Sequence, residues 1–374
     1  MNRRISFGAF FLLLPACAGM AFAAEEPQTL KIGARAPDFT LPGVDGRDYS
    51  LADFASAEVL VIVFTCNHCP TAQAYEDRIQ QLSGEFKDKG VALVAISPND
   101  PLALRLDELG YTDLGDSFED MKIRAKDKKF TFPYLYDGDE QAVSKAFGPV
   151  STPHAFVFDK KRELRYVGRI DDSESVDRVT SPDLRNAIEA VLAGGPAPIE
   201  TTKTVGCSIK WSDKRGSVQE SLDQWAQKEV TIEPIDEAGV RALVKNDSKN
   251  YRLINVWATW CGPCVVEFPS LIEISRMYST REFEVVTISA DRPDAAGKAL
   301  EFLKTQRAST KNYIFSLEDT YKLIEAVDPG WQGALPYTMF VAPGGEVVFK
   351  QMGQIDPLEV KRQIVAKLGR VFGN

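Results

Sequence analysis

Two pairs of cysteines at C-x-x-C spacing carry the chemistry of this 374-residue chain. Cys66 and Cys69 follow the apolar run Val61-Ile62-Val63-Phe64, and Cys261 and Cys264 follow Ile254-Asn255-Val256-Trp257. A helical pattern comes after each pair. A strand that hands a cysteine to the first turn of a helix sets the sulfur beside unpaired N–H groups and the positive end of the helix dipole, which favour a thiolate. The thiolate is the form that attacks disulfides, and a second cysteine one turn on can close a disulfide back onto the first. The pattern points to thiol–disulfide exchange and requires no cofactor.

His68 and His154 are the only histidines. His68 lies inside the first pair, where an imidazolium favours the Cys66 thiolate. His154 directly follows Pro153 and is a candidate for the substrate-facing wall of the same site. Zinc ribbons also use C-x-x-C knuckles. Those sit on turn-rich hairpins, whereas each pair here lies between a core strand and a helix, so no metal site is assigned. Two thiolates and two imidazoles would suit copper(I) or zinc(II), and a copper-binding metallochaperone is the non-enzyme alternative. Cys207 reads as a buried or structural thiol rather than a catalyst, with a third redox role as the alternative.

The elements that must position these residues recur. Tyr75, Ile79, Leu82 and Phe86 share one helix face, Gly90 stops that helix, and residues 91–97 read as a buried strand. After the second pair, Phe268, Leu271, Ile272 and Ser275 continue a helix, and residues 283–289 read as the next strand. A Pro turn then precedes an apolar strand in each half, at Thr152-Pro153 and at Leu335-Pro336. Helices near 182–194 and 357–370 close the two halves. The expected fold is α/β, with two tandem domains, each a central mixed β-sheet flanked by helices. The polar stretch 212–217 reads as a linker. The domains are placed at 24–211 and 230–374, with 212–229 between them and the second sheet starting at Val230-Thr231-Ile232.

The formal charge of −9 argues against nucleic acid as a partner. Residues 1–23 read as an export signal: Arg3 and Arg4, a short apolar stretch from Phe7 to Leu14, and the cleavage pattern Ala21-Phe22-Ala23. Soluble export, to a bacterial periplasm, is the expectation. Lipid attachment at Cys17, in Leu14-Pro15-Ala16-Cys17, is the alternative. Once the signal is removed five cysteines remain, too few for a disulfide-stapled fold, so the pairs read as catalytic.

The segment Trp257-Ala258-Thr259-Trp260-Cys261-Gly262-Pro263-Cys264-Val265-Val266-Glu267-Phe268-Pro269 resembles the TlpA-like exported thioredoxins, and the resemblance covers residues 230–374. It implies a thioredoxin fold, with Cys261 attacking and Cys264 resolving. It also implies a cis-proline at Pro336, beside Leu335, facing them. Glu267 matches the acidic residue associated with proton movement at the buried cysteine, and Trp260 is expected to shape the substrate surface. Asn255 stands where thioredoxin itself has a buried Asp, so Glu267 is expected to take over that task.

Residues 30–211 resemble the peroxiredoxin-related redoxin family. The resemblance rests on Gly33-Ala34-Arg35-Ala36-Pro37-Asp38-Phe39, Phe64-Thr65-Cys66-Asn67-His68-Cys69-Pro70, Phe132-Pro133-Tyr134, Thr152-Pro153-His154 and the tail Gly206-Cys207-Ser208-Ile209-Lys210-Trp211. It implies a second thioredoxin fold, with Pro153 cis at the first pair. Peroxiredoxins carry P-x-x-x-T-x-x-C before the peroxidatic cysteine. Counting back from Cys69, Cys66 and Ile62 fill the T and P positions, so that motif is absent. A thiol peroxidase with an in-built thioredoxin reductant is the second enzyme reading.

In the favoured mechanism Cys66 or Cys261 attacks a client disulfide and Cys69 or Cys264 resolves the mixed disulfide. The implied partners are client proteins with disulfides or thiols and a membrane or periplasmic electron donor. His68 is expected to make the first site the more oxidising of the two.

Overall fold

The computed structural model describes residues 27–370, so the expected signal and Cys17 lie outside the described residues. A short hairpin, β1 (Thr40–Pro42) and β2 (Asp48–Ser50), leads into β3 (Val59–Phe64), α1 (Pro70–Phe86) and β4 (Val91–Ser97). There follow α2 (Phe118–Lys128), β5 (Tyr134–Tyr136), α3 (Ala142–Phe147), β6 (Ser151–Thr152), β7 (His154–Phe158), β8 (Leu164–Gly168), α4 (Asp183–Leu192) and β9 (Cys207–Ser208). The five-stranded sheet runs β5-β4-β3-β7-β8, with β3, β4 and β5 parallel and β7 antiparallel to both its neighbours. Side chains of β3 alternate between its faces. Val59, Val61 and Val63 pack under α1, α2 and α4, and Leu60, Ile62 and Phe64 pack with Phe147 and Phe156 on the other side. All six are fully buried, which is why this strand reads as an unbroken apolar run.

The stretch expected as a linker carries the helix α5 (Arg215–Ala226). The second sheet begins at β10 (Glu233–Ile235), a few residues beyond the expected Val230. It continues through α6 (Glu237–Lys245), β11 (Tyr251–Trp257), α7 (Gly262–Met277), β12 (Phe283–Ser289), α8 (Ala296–Thr305), β13 (Lys311–Phe315), α9 (Thr320–Val327), β14 (Tyr337–Val341), β15 (Val347–Met352) and α10 (Pro357–Leu368). Strand order is β10-β13-β12-β11-β14-β15, again parallel on one side of the central strand and antiparallel on the other. Both halves are thus mixed sheets covered by helices on two faces. No described helix is long and apolar enough to cross a membrane.

The two halves touch through the segment after β4. Leu104 and Leu109 belong to the apolar cluster that contains Phe268, Leu271 and Met277 of α7. Tyr278 Oη donates to Thr112 O at 2.8 Å and Arg281 Nη1 to Gly110 O at 2.6 Å.

Candidate active site

Strand register brings the first site together. Phe64 of β3 pairs with His154 of β7, so the residues just after Phe64 meet those just before His154. Cys66 Sγ lies 3.1 Å from Thr152 Oγ1, and Cys69 Sγ donates to Thr152 O at 3.2 Å. The Thr152–Pro153 peptide bond is cis, as expected. Both thiols are almost wholly enclosed, Cys66 2 % exposed and Cys69 0 %.

The helix begins one step later than expected. Cys69, not Cys66, caps α1, with its sulfur accepting from Ala72 N at 3.5 Å and Pro70 in the first helical turn. The N–H groups of Asn67 and His68 turn instead to Asp116 Oδ1, at 2.9 and 3.0 Å. The expectation that the helix end stabilises a Cys66 thiolate is therefore corrected. Burial pushes the Cys66 thiol well up, and Cys69 and the Asp116 carboxylate add to the rise. Burial also works against a Cys69 thiolate, but Cys207, Cys66, the His68 cation and the Ala72 N–H hold Cys69 well below its ordinary value.

His68 is not the lone cation that the sequence suggested. Its Nδ1 lies 2.6 Å from Asp116 Oδ2 and 3.4 Å from Cys66 Sγ. Burial favours the neutral ring, yet the Asp116 charge prevails and raises His68 above its ordinary value. Burial likewise disfavours the carboxylate, and His68 and Asn99 hold Asp116 below its ordinary value. An ion pair has no net charge, so the higher potential argued from His68 alone does not follow. Glu76, a second negative group near the pair in sequence, is held by Arg124 at 2.7 and 2.8 Å.

The second site uses the same register with a different cap. Val256 pairs with Tyr337, which sets the cis Leu335–Pro336 bond beside the end of β11. Cys261 caps α7, with its sulfur accepting from Cys264 N at 3.3 Å, and the two cysteines form a disulfide. Trp260 is 68 % exposed beside it. Leu335 packs against the apolar cluster that includes Cys261 and Cys264. Glu267, one turn beyond Cys264, accepts from Asn255 Nδ2 at 2.9 Å and from Ile355 N at 3.0 Å. Burial raises its carboxyl above the ordinary value against those two hydrogen bonds.

His154 stands apart from the thiols. Its Nδ1 accepts from Val150 N at 3.3 Å and its ring packs on Phe156, and burial lowers it to about 4. One ring nitrogen is thereby engaged with the backbone, and His154 is not part of the donor cluster that Cys66, His68 and Asp116 form among the described residues. Cys66, His68 and Asp116 do offer three donor atoms within 4.8 Å of one another. A nitrogen–oxygen distance of 2.6 Å is that of a charge-assisted hydrogen bond, so this pair is closed on itself.

Asp116 and Asn99 of the first site had no signal in the sequence, and Cys207 had only the tail motif around it. Asp116 and Asn99 come from loops 48 and 31 positions from His68. Cys207 comes from further along the chain, and its N–H donates to Cys69 Sγ at 3.3 Å. In the second site Asp291 accepts from Thr259 N at 2.9 Å and from Thr259 Oγ1 at 2.7 Å, two residues before Cys261.

Comparison with known proteins gives two family matches: the AhpC/TSA family over residues 32–167 and Redoxin over residues 243–364. A thiol-disulfide oxidoreductase ResA of Geobacillus thermodenitrificans is 22 % identical over 195 residues, 51 % of this chain and 97 % of that protein. The chain spans smaller shares, 45 % and 61 %, of the ResA proteins of Oceanobacillus iheyensis and Bacillus cereus. Among solved structures, a hypothetical protein from Sinorhizobium meliloti 1021 is 34 % identical, with a TM-score of 0.44, covering 50 % of this chain and 97 % of its own. An uncharacterized conserved protein from Geobacillus kaustophilus is 37 % identical, with a TM-score of 0.43, covering 49 % and 93 %.

Proposed function

The chain belongs to the thioredoxin superfamily of thiol–disulfide oxidoreductases, as two redoxin-type domains, and on that premise we propose that it acts outside the cytoplasm through two redox pairs. Each pair cycles between dithiol and disulfide and exchanges two electrons with the disulfides or thiols of client proteins. The observation that carries this reading is the twice-built junction: a C-x-x-C pair at a helix start, against a turn with a cis-proline. The export pattern in residues 1–23 supports an extracytoplasmic site of action.

In the second domain Cys261 attacks. Its sulfur receives the helix-end N–H, so the thiolate is stabilised at the less enclosed of the two cysteines. Cys264 resolves, and Glu267 exchanges the proton. In the first domain Cys66 and Cys69 form the pair, and Cys69 carries the charge.

The domains meet at the C-terminal end of α7 and through Arg362 of α10 and Arg370, which bind Asp127, Gln73 and Asp113. Met277 is thirteen residues past Cys264, about 20 Å along the helix at 1.5 Å per residue. This supports separate clients for the two sites, with exchange between them requiring the domains to part. The AhpC/TSA match favours peroxide as a second substrate class for the first domain. The residues Ile62 and Cys66 at the motif's P and T positions weigh against it.

Trapping tests the proposal. Full-length protein carrying Cys66→Ser and Cys264→Ser, with Cys207→Ser removing the neighbouring thiol, should retain a disulfide-linked model peptide at Cys69 and at Cys261. Absence of any adduct would overturn the reading. Consumption of peroxide by protein lacking Cys261 and Cys264 would establish the second.

A further inference from the structure

The first site holds three thiols, not two. Cys207 packs against Cys66, Cys69 and Ala72. The strand pair β6–β9 places it there, with Thr152 opposite Cys207. Gly206 makes the approach possible. A side chain at that position would come within 1.9 Å of Thr152 O, and its φ of +152° favours glycine. The Cys207 N–H donates to Cys69 Sγ at 3.3 Å. Of the three, Cys207 alone is more than marginally exposed, between the exposed residues Gly206 and Ser208. The sulfurs of Cys66 and Cys69 are both against Thr152, and both residues are buried.

We propose that Cys207 is the third redox thiol of the first site and closes a disulfide with Cys69, carrying oxidising equivalents between the enclosed Cys66–Cys69 pair and clients at the surface. This rests on the first site being a disulfide-exchange centre.

The step is an internal exchange with no external oxidant. The Cys207 thiolate attacks Cys69 Sγ of the Cys66–Cys69 disulfide. The Cys69–Cys207 bond forms, the Cys66–Cys69 bond breaks, and the electron pair leaves on Cys66. The proton lost from Cys207 ends on Cys66, whose sulfur lies 3.4 Å from His68 Nδ1. A client thiolate then attacks Cys207 from the open side and expels the Cys69 thiolate, which receives the Ala72 and Cys207 N–H groups. A second client thiolate attacks the client sulfur of this mixed disulfide and releases Cys207 as a thiolate. The client is oxidised by two electrons and the site is reduced by two. The reverse sequence reduces a client. In the reduced site, the Cys69 sulfur and then burial raise the Cys207 thiol. The first of these causes vanishes once Cys69 is bound in a disulfide.

Disulfide mapping of the full chain tests this in a Cys261→Ser, Cys264→Ser background. After partial oxidation by glutathione disulfide and acid quench, a Cys69–Cys207 peptide should appear beside Cys66–Cys69. With Cys66→Ser added, Cys69–Cys207 should become the main disulfide. With Cys207→Ser added instead, Cys66–Cys69 should still form, while exchange with a peptide dithiol slows by roughly tenfold or more, because an adjacent thiol has been lost. Cys207→Ala should behave like Cys207→Ser, and an unchanged thermal midpoint in both separates the effect from misfolding. If Cys66–Cys69 forms but no Cys69–Cys207 peptide is found, or Cys207→Ser exchanges at the native rate, this inference falls and the proposed function stands. If no disulfide forms at the site, both fall.

Discussion

His68 Nδ1 and Asp116 Oδ2 lie 2.6 Å apart with both side chains at most 1 % exposed. The first site is therefore built on a closed ion pair whose carboxylate also receives the N–H groups of Asn67 and His68. Asp116→Asn should destabilise the protein by roughly 3 kcal/mol or more, the scale for breaking a buried pair. The loss depends on pH. Folding raises His68, so its contribution is complete below its ordinary value of 6.5 and fades as pH rises through the folded value. Folding lowers Asp116, so its contribution is complete above 3.8 and fades as pH falls through the folded value. Urea unfolding of native and variant protein should differ most between about pH 4 and pH 6.5. A difference that stays flat across pH would contradict the pair.

Glu267 is a buried carboxyl with its pKa raised, one turn from Cys264, the proposed resolving cysteine. Glu267→Gln keeps the Asn255 contact within reach but cannot exchange a proton. Resolution of a mixed disulfide at Cys261 should slow by roughly a hundredfold, the lower range for general acid–base catalysis. Stopped-flow measurement with a fluorescent peptide disulfide reads this directly, and a native rate would remove Glu267 from the chemistry.

Cys261 is 6 % exposed and Cys264 0 %. After reduction, iodoacetamide should label Cys261 well before Cys264, because only the former combines access with the helix-end N–H. Peptide mapping at short times checks the order, and early labelling of Cys264 would reverse the roles.

Tyr278 is fully buried at the domain contact, donating to the Thr112 carbonyl. Tyr278→Phe leaves that carbonyl unpaired and should cost about 1–3 kcal/mol. Hydrogen exchange should show the loss in the 104–116 segment and the end of α7. Exchange unchanged in both places would mean that the bond does not hold the domains together.

Much of this architecture was legible because it rests on local patterns. The strands 91–97 and 283–289 lie where the apolar runs placed them, and Tyr75, Ile79, Leu82 and Phe86 form the buried face of α1. Both cis-prolines also follow their motifs. What escaped reading is long-range. Asp116 sits in a polar loop with no periodicity, and only the folded chain brings it to His68. The helix start at Pro70 instead of within the C-x-x-C depends on that same carboxylate, which takes the N–H groups of residues 67 and 68. Cys207 looked structural because nothing local ties it to Cys69. Gly206 beside it was the available hint, since a glycine before a cysteine permits close approach to another backbone.

The central claim is that both C-x-x-C pairs are redox centres. Fully reduced protein, freed of reductant and mixed with excess model peptide disulfide, should reduce two peptide disulfides per chain. Variants with Cys66 and Cys69, or Cys261 and Cys264, replaced by Ser should each reduce one. A chain whose stoichiometry is unchanged by loss of the Cys66–Cys69 pair, or that reduces none, would contradict the account.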